Sequence, residues 1–299
     1  MTIATPNRRH LAFLFFLVLS LMAFHGPLHS LIRLSLADDR YSFNLAIPLL
    51  SVFLISLKGQ ALASGRYGLG AGVPLVLVGA SIAVPAAAWR PSFDPVVSLS
   101  VMVLALVLVW IGLFIACYGT QAFVVFIFPL CFLLWTVPIP QIALDSLSGL
   151  LQAGSANAVY FLIKLTGVPV LRHGFTFTLP GLDIEIERQC SGMRAALALL
   201  ITGSVAAYAL LRSRWGRACW MLAIVPVAVV KNAMRIVTIS YLGIYVNQDF
   251  LHGQLHRNGG LPFAIVAIVM LVPLLVLLRR VEARHAKKAC TSVYAAAAR

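Results

Sequence analysis

Long apolar blocks recur along most of this chain, and they constrain its fold more than any other feature. An α-helix rises about 1.5 Å per residue, so a block of about 20 residues covers the roughly 30 Å of a bilayer's hydrocarbon core. With 61% hydrophobic and only 11% charged residues, the chain carries more apolar surface than a soluble core could enclose. The sequence therefore predicts a polytopic membrane protein.

Eight such blocks predict an all-α fold of about eight transmembrane helices. They cover residues 11–25, 42–57, 72–89, 96–117, 121–138, 192–211, 218–245 and 261–279. The first block resembles a signal peptide, but it lacks a small-x-small cleavage site directly after it, so we expect an uncleaved span. We expect one integral membrane domain, with five spans in 11–138, three in 191–279 and a basic cytoplasmic tail in 280–299.

The region 139–190, between the fifth and sixth predicted spans, has a different pattern. Its stretch 143–166 is apolar but interrupted by glycine and polar residues, which indicates a re-entrant or interfacial helix. From His173 to Glu187, apolar and polar residues alternate with the period of two that is typical of strands, and Pro180-Gly181 supplies a turn. We therefore predict a short β-hairpin outside the membrane.

Basic residues beside the spans predict the orientation. With a cytoplasmic N-terminus, thirteen of the 23 Lys and Arg residues lie in inner segments and six in outer segments, as the positive-inside rule requires. Both termini are then cytoplasmic, and the loops that carry Cys190 and His256 share the outer face. The net charge of +14 is accounted for by runs beside spans, so we expect no nucleic-acid partner.

The segment Glu187-Arg-Gln-Cys190-Ser-Gly-Met-Arg194 is the most unusual local sequence, because a polar strand end leads directly into an apolar helix. Unpaired N–H groups and the helix dipole favour a thiolate at a helix N-terminus, and Arg194 adds a positive charge. Cys190 is therefore a candidate nucleophile. The alternative is a small residue that only packs beside a turn. The other four cysteines show neither CxxC nor zinc-ligand spacing.

A second polar feature, Lys231-Asn232-Ala-Met-Arg235, lies within the predicted span 218–245. A charge at membrane depth costs about 2.5–3.5 kcal/mol on insertion scales, so such a side chain usually turns toward a cavity or a partner. Asn232 and Arg235 are three residues apart and share a helix face, which predicts a polar pocket near the outer interface. Alternatively, Arg235 snorkels outward or forms a structural ion pair.

A third feature, His252-Gly-Gln-Leu-His256, precedes the last predicted span. Imidazole has a pKa suited to proton transfer near neutrality. Two histidines four residues apart also resemble a metal pair, but no Cys, Asp or Glu at ligand spacing completes it, so we expect no metal and no cofactor. A solvated loop histidine is the alternative for each.

In this order and on the last three spans, three motifs resemble the exosortase and archaeosortase family of membrane-embedded cysteine transpeptidases. They are Cys190-Ser-Gly-Met-Arg194, Asn232-x-x-Arg235-Ile and His256-x-x-x-Gly260-x-x-Phe263. The resemblance covers about residues 180–265, and the histidine favours the bacterial exosortase type. It implies cleavage of a C-terminal sorting signal, made of a Pro-Glu-Pro-like motif, a transmembrane helix and a basic tail, and transfer of the product to an acceptor.

The resemblance also implies roles and partners. Cys190 becomes the nucleophile, Arg235 the oxyanion or substrate-carboxylate partner and His256 the proton-transfer residue, with Arg194 and Asn232 in supporting or substrate-binding roles. The implied location is the cell inner membrane, with the site on its extracytoplasmic side. Expected partners are membrane-anchored substrate proteins, the lipid bilayer and separate proteins that export surface polysaccharide. A transporter and a non-catalytic polysaccharide assembly factor are the alternatives.

Overall fold

The computed structural model describes residues 6–57, 67–88, 94–247 and 260–297. The chain forms two compact units, Met1–Leu144 and Asp145–Arg299. The first six helices are α1 (Pro6–Ala23), α2 (His25–Ala37), α3 (Ala46–Ser56), α4 (Leu69–Ala88), α5 (Pro95–Val125) and α6 (Ile127–Phe132). They are followed by α7 (Gln141–Leu165), β1 (Leu171–His173), β2 (Thr176–Leu179), β3 (Leu182–Glu185), α8 (Met193–Leu210), α9 (Arg214–Tyr245) and α10 (Gly260–Ala297). Short 3₁₀ helices cover Asp39–Leu45, Leu133–Thr136 and Arg188–Ser191.

Within the described residues, five helical segments are long and apolar enough to cross a membrane. They are Leu69–Ala86, Pro95–Val125, Met193–Leu210, Arg214–Tyr245 and Pro262–His285. Two bent pairs, Arg8–Ala23 with His25–Ala37 and Ile127–Thr136 with Gln141–Leu165, raise the number to seven if each is one span. The predicted class of a mainly helical, multi-pass membrane protein is confirmed. The number eight and the orientation of the termini stay predictions.

Two parts of the first unit differ in form from the predicted spans. The predicted span 42–57 is a 3₁₀ helix followed by α3, whose 11 residues reach only about 16 Å. Helix α5 is broken at Gly119 with φ 86°, where the sequence predicts a loop between 117 and 121, and the predicted span 121–138 is divided into the end of α5, α6 and a 3₁₀ helix. Glycine adopts that angle without the clash that a Cβ atom would cause, so this residue determines where the helix breaks.

Helices α4 and α5 pack backbone against backbone. A Cβ atom added at Gly72 would collide with the backbone of Ala116, and one at Gly112 would lie 2.8 Å from the backbone nitrogen of Val76. Lipid tails are as apolar as leucine and supply no hydrophobic force between helices, so close approach of small residues is what holds such a pair together. The pair therefore depends on these glycines.

The three strands form one antiparallel sheet in the order β1-β2-β3. The predicted hairpin is β2 with β3, where Leu179 pairs with Leu182 around Pro180-Gly181. Strand β1 corrects the prediction of only two strands, since it pairs with β2 around a two-residue turn that Gly174 opens with φ 64°. A strand of three residues is too short to display a period of two, so the pattern does not reveal it.

The sheet packs on α7 and α9 through one apolar cluster. Its buried members are Ala156, Val159 and Ile163 of α7, Phe177 and Leu179 of β2, Ala233 of α9, and Ile186, which follows β3. Asp183 and Glu185 are exposed, as their alternation predicts. The cluster fixes the end of the sheet beside two helices, and thereby the start of the Cys190 segment.

Helices α8 and α9 lie side by side in opposite directions. The indole nitrogen of Trp220 donates a hydrogen bond to the carbonyl oxygen of Gly203 at 2.9 Å. The carboxylate of Glu282 on α10 accepts hydrogen bonds from the backbone nitrogens of Arg212, at 3.1 Å, and Ser213, at 2.8 Å. The α8–α9 turn is therefore held by α10, which remains helical through the segment predicted as a tail.

Candidate functional site

The Cys190 segment is a 3₁₀ turn between the sheet and α8. Residues Arg188–Ser191 form the turn, Gly192 follows in the left-handed region with φ 76°, and α8 begins at Met193. Cys190 therefore lies two residues before the N-cap of α8, which corrects its predicted place at the helix N-terminus. The left-handed glycine is the reason, because it separates the turn from the helix. The structure describes the backbone of Cys190 and not its side chain.

Gly192 brings this turn against α9. A Cβ atom at position 192 would lie 2.8 Å from both Cγ and Oδ1 of Asn232, so the absence of a side chain makes room for that residue. Asn232 is 1% exposed, and its Nδ2 donates a hydrogen bond to Oγ of Ser155 at 3.0 Å. The Cys-Ser-Gly motif and the Asn232 motif, remote in sequence, are therefore in contact.

Arg235 lies about one helical turn beyond Asn232 on α9 and is half-buried, with its Nε inside the protein. Because α8 and α9 are antiparallel, the C-terminal direction of α9 leads toward the residues that precede α8. Arg235 therefore lies on the side of Asn232 that leads toward the residues preceding α8. Lys231 is also buried, at 5% exposure, as expected for a charged residue that faces the protein rather than lipid.

Helix α7 contributes three polar side chains that the sequence analysis did not single out: Ser148, Gln152 and Ser155. The first two bond the segment around Cys190, and Ser155 accepts the Asn232 hydrogen bond. They are spaced by four and three residues, which puts them on one face of a helix. That spacing is the signal that could have identified them, although the same serines and glutamine can also be interpreted as polar residues that merely interrupt an apolar stretch.

The remaining predicted residues are placed less completely. Arg194 is exposed in the first turn of α8. His256 and His252 lie outside the described residues. Within the part of the chain that the structure describes, no group of three His, Cys, Asp or Glu side chains could hold a metal ion. Of these residues, the structure shows Asn232 in contact with Gly192 of the Cys190 motif, and Arg235 about one turn farther along α9.

A cavity of about 300 Å³ lies near these elements, between the β2–β3 turn and the end of α9. It is lined by Pro180, Gly181, Leu182 and residues 243–247. Of the predicted site residues that the structure describes with their side chains, Arg194, Asn232 and Arg235, none lines it.

One comparison with known proteins identifies a family. A family model described as transmembrane exosortase matches residues 32–273, a range that contains all three motifs and all five predicted site residues. No curated protein and no solved structure matches the chain. The match extends far beyond the 180–265 region on which the sequence resemblance is based, and it includes most of the first unit.

Proposed function

Because the chain belongs to the transmembrane exosortase family, we propose that it is a membrane cysteine transpeptidase acting on the C-terminal sorting signals of membrane-anchored proteins. The proposed signal has a Pro-Glu-Pro-like motif, a transmembrane helix and a basic tail. The observation that supports the proposal is the contact of Gly192 with Asn232, which joins the Cys190 turn to the helix that carries Arg235. We propose that the Cys190 thiol and the Arg235 guanidinium meet there, an arrangement that suits acyl transfer.

In the proposed reaction the thiolate of Cys190 attacks the carbonyl carbon of the scissile peptide bond. The new S–C bond produces a tetrahedral oxyanion, and the N–H donors of Arg235 stabilise its charge. His256 gives a proton to the departing amine as the C–N bond breaks, which leaves a thioester on Cys190. A nucleophile of the acceptor then attacks the thioester and loses its proton to His256, the C–S bond breaks, and the thiolate is restored.

We place this chemistry at the outer face of the cell inner membrane. The charge distribution along the sequence supports eight spans with both termini cytoplasmic and a re-entrant α7 between the fifth and sixth. A site at the interface meets a substrate where its sorting motif joins its own membrane helix. The proposed partners are therefore these substrates and, for the product, separate proteins of surface-polysaccharide export.

The direct test is Cys190→Ala in cells that also express a reporter with the tripartite C-terminal signal. We expect wild type to shorten the reporter and Cys190→Ala to leave it at full length, with both proteins inserted in equal amounts. The matched control is Cys219→Ala, which removes an exposed cysteine from α9. Full processing by Cys190→Ala would contradict the transpeptidase and favour a transporter or an assembly factor.

The orientation has a separate test in a variant without native cysteines that carries Gln254→Cys. A membrane-impermeant maleimide added to intact cells, with the outer membrane permeabilised where one exists, should label this residue. Labelling only after the inner membrane is opened would place the loop in the cytoplasm and reverse the topology.

A further inference from the structure

The chain that leads to Cys190 is fastened to α7 by a buried amide. Gln152 is 7% exposed, and its Nε2 donates a hydrogen bond to the carbonyl oxygen of Ile186 at 2.5 Å. Ile186 is itself 1% exposed and belongs to the apolar cluster under the sheet. Without Gln152 a buried carbonyl would lack this donor, which is costly where water is excluded. Gln152 therefore fixes the path by which the chain leaves the sheet, four residues before Cys190.

Ser148 holds the turn on both sides of Cys190. Its hydroxyl donates to the carbonyl oxygen of Arg188 at 3.3 Å and lies 2.9 Å from the hydroxyl oxygen of Ser191. A serine hydroxyl has one proton, so with Ser148 donating to Arg188, Ser191 is the donor in the second bond. Ser191 is 2% exposed, which keeps this bond away from bulk water. One side chain thus bonds the residue two before Cys190 and the residue after it.

Ser155 reaches the turn through α9. It is fully buried and accepts the hydrogen bond from Asn232, which in turn lies against Gly192. The far end of the turn is therefore fixed by a residue that α7 holds in place. Every one of these contacts involves α7, either directly or through Asn232, and together they bracket position 190.

We infer that α7 positions the Cys190 thiol for attack, and that Ser148 and Gln152 are positioning residues for acyl transfer. This inference rests on the proposed function, in which Cys190 is the nucleophile. The side chains of Ser148 and Gln152 supply neither charge nor proton to the reaction; they determine the position of the nucleophile. Because displacement of a reacting group by about 1 Å can cost about 100-fold in rate, bonds that hold the backbone around it have a large kinetic effect.

The first experiment measures kinetics of the purified full-length protein with a sorting-signal substrate. For Ser148→Ala and Gln152→Met we expect kcat to fall about tenfold while KM stays within about twofold, because substrate binding is untouched. Ser148→Thr keeps the hydroxyl and should recover most of the rate. The control is Asn157→Ala, which removes a hydrogen bond between α7 and Arg172 of β1 without touching the turn. An equal loss of kcat in Asn157→Ala, or no loss in either turn variant, would overturn the inference.

The second experiment separates positioning from the proposed function, because it needs no substrate. In a background where Cys117, Cys131, Cys219 and Cys290 are replaced by serine, the alkylation rate of Cys190 by iodoacetamide is measured across pH. In the proposed site the thiol stands beside Arg235, so Ser148→Ala and Gln152→Met, which loosen the turn, should slow alkylation about threefold at neutral pH. An unchanged or higher rate contradicts positioning. If these variants slow alkylation but Cys190→Ala still processes substrate, positioning holds and the transpeptidase function fails.

Discussion

The side chain of Asn232 packs directly against Gly192, so that a Cβ atom added to Gly192 would lie only 2.8 Å from Oδ1 of Asn232. This contact joins the turn before α8 to the middle of α9, and each of the two residues has specific structural requirements. Gly192 needs a left-handed backbone as well as the absence of a side chain, while Asn232 needs a partner for its buried amide, which Ser155 provides.

Replacing Gly192 by alanine should therefore reduce processing at least tenfold. The left-handed backbone costs a residue with a Cβ about 1–2 kcal/mol, and the collision with Asn232 adds about 1–3 kcal/mol by displacing the turn. The measurement is reporter processing at matched expression. Gly181→Ala is the control, since Gly181 also has a positive φ, of 84°, but an added Cβ meets nothing within 4 Å. Equal effects of the two variants would show that backbone strain, and not the Asn232 contact, matters.

Arg235→Lys should lower the rate of processing about 100-fold while the protein still inserts. Lysine keeps the charge but loses the planar fork of donors, and removal of one oxyanion donor typically costs about 10²–10³ in rate. Initial rates on the reporter substrate test this. Arg217→Lys on the same helix is the control, because Arg217 bonds the carbonyl oxygen of Leu211 and lies beside Tyr208, away from the turn. Near-normal turnover by Arg235→Lys would show that the positive charge of Arg235 is sufficient and that its planar fork of donors is not required.

Gly72→Ala should destabilise the first unit by about 1–3 kcal/mol, because the added methyl group forces α4 and α5 apart. Thermal unfolding of the purified protein in detergent measures the change as a lower Tm. Gly70→Ala lies two residues away on the same helix, and its Cβ would meet nothing within 4 Å, so it should leave Tm unchanged or raise it. A lower Tm in both variants would point to a general effect of alanine in α4.

Glu282→Ala should loosen the α8–α9 turn, because two backbone N–H groups lose a carboxylate acceptor and are left to bond water. Hydrogen exchange followed by mass spectrometry should show faster exchange at Arg212 and Ser213. Glu282→Gln keeps one acceptor oxygen and should give an intermediate rate. Unchanged exchange in Glu282→Ala would mean that Ser213, which caps α9 through the nitrogen of Gly216 at 2.9 Å, is sufficient.

The sequence predicts the membrane class because apolar length is a direct consequence of bilayer thickness. It predicts the Pro180-Gly181 turn because glycine tolerates the backbone angle there. It also predicts a break between 117 and 121, where the structure has the non-helical Gly119, but it does not predict that 42–57 is a 3₁₀ helix followed by a short α-helix. Helices that are apolar on all sides carry no periodic signal, so the pattern gives the apolar length of a segment and not where its 3₁₀ and α-helical parts meet.

For the site, the sequence identifies Cys190, Asn232 and Arg235 by their unusual polar settings, and the structure places them on adjoining elements. The proposed role of α7 is not predicted from the sequence, since Ser148 and Gln152 are ordinary residues whose hydrogen bonds are to backbone carbonyl oxygens. Every residue has a backbone carbonyl, so the residue types in the sequence do not indicate which carbonyls accept these hydrogen bonds. Contacts to the backbone of this kind become visible only once the chain is folded.

The break at Gly119 has a consequence for how the first unit fits its membrane. A straight helix over the 31 residues of α5 would be about 46 Å long, well beyond the roughly 30 Å of hydrocarbon that it has to cross. An unbroken rod of that length would have to tilt strongly or deform the surrounding lipid. Because the rod ends at Gly119, the backbone angle of this one residue sets how well the length of the helix matches the thickness of the bilayer. Bilayers of different thickness should therefore affect a Gly119→Ala variant more than the wild type.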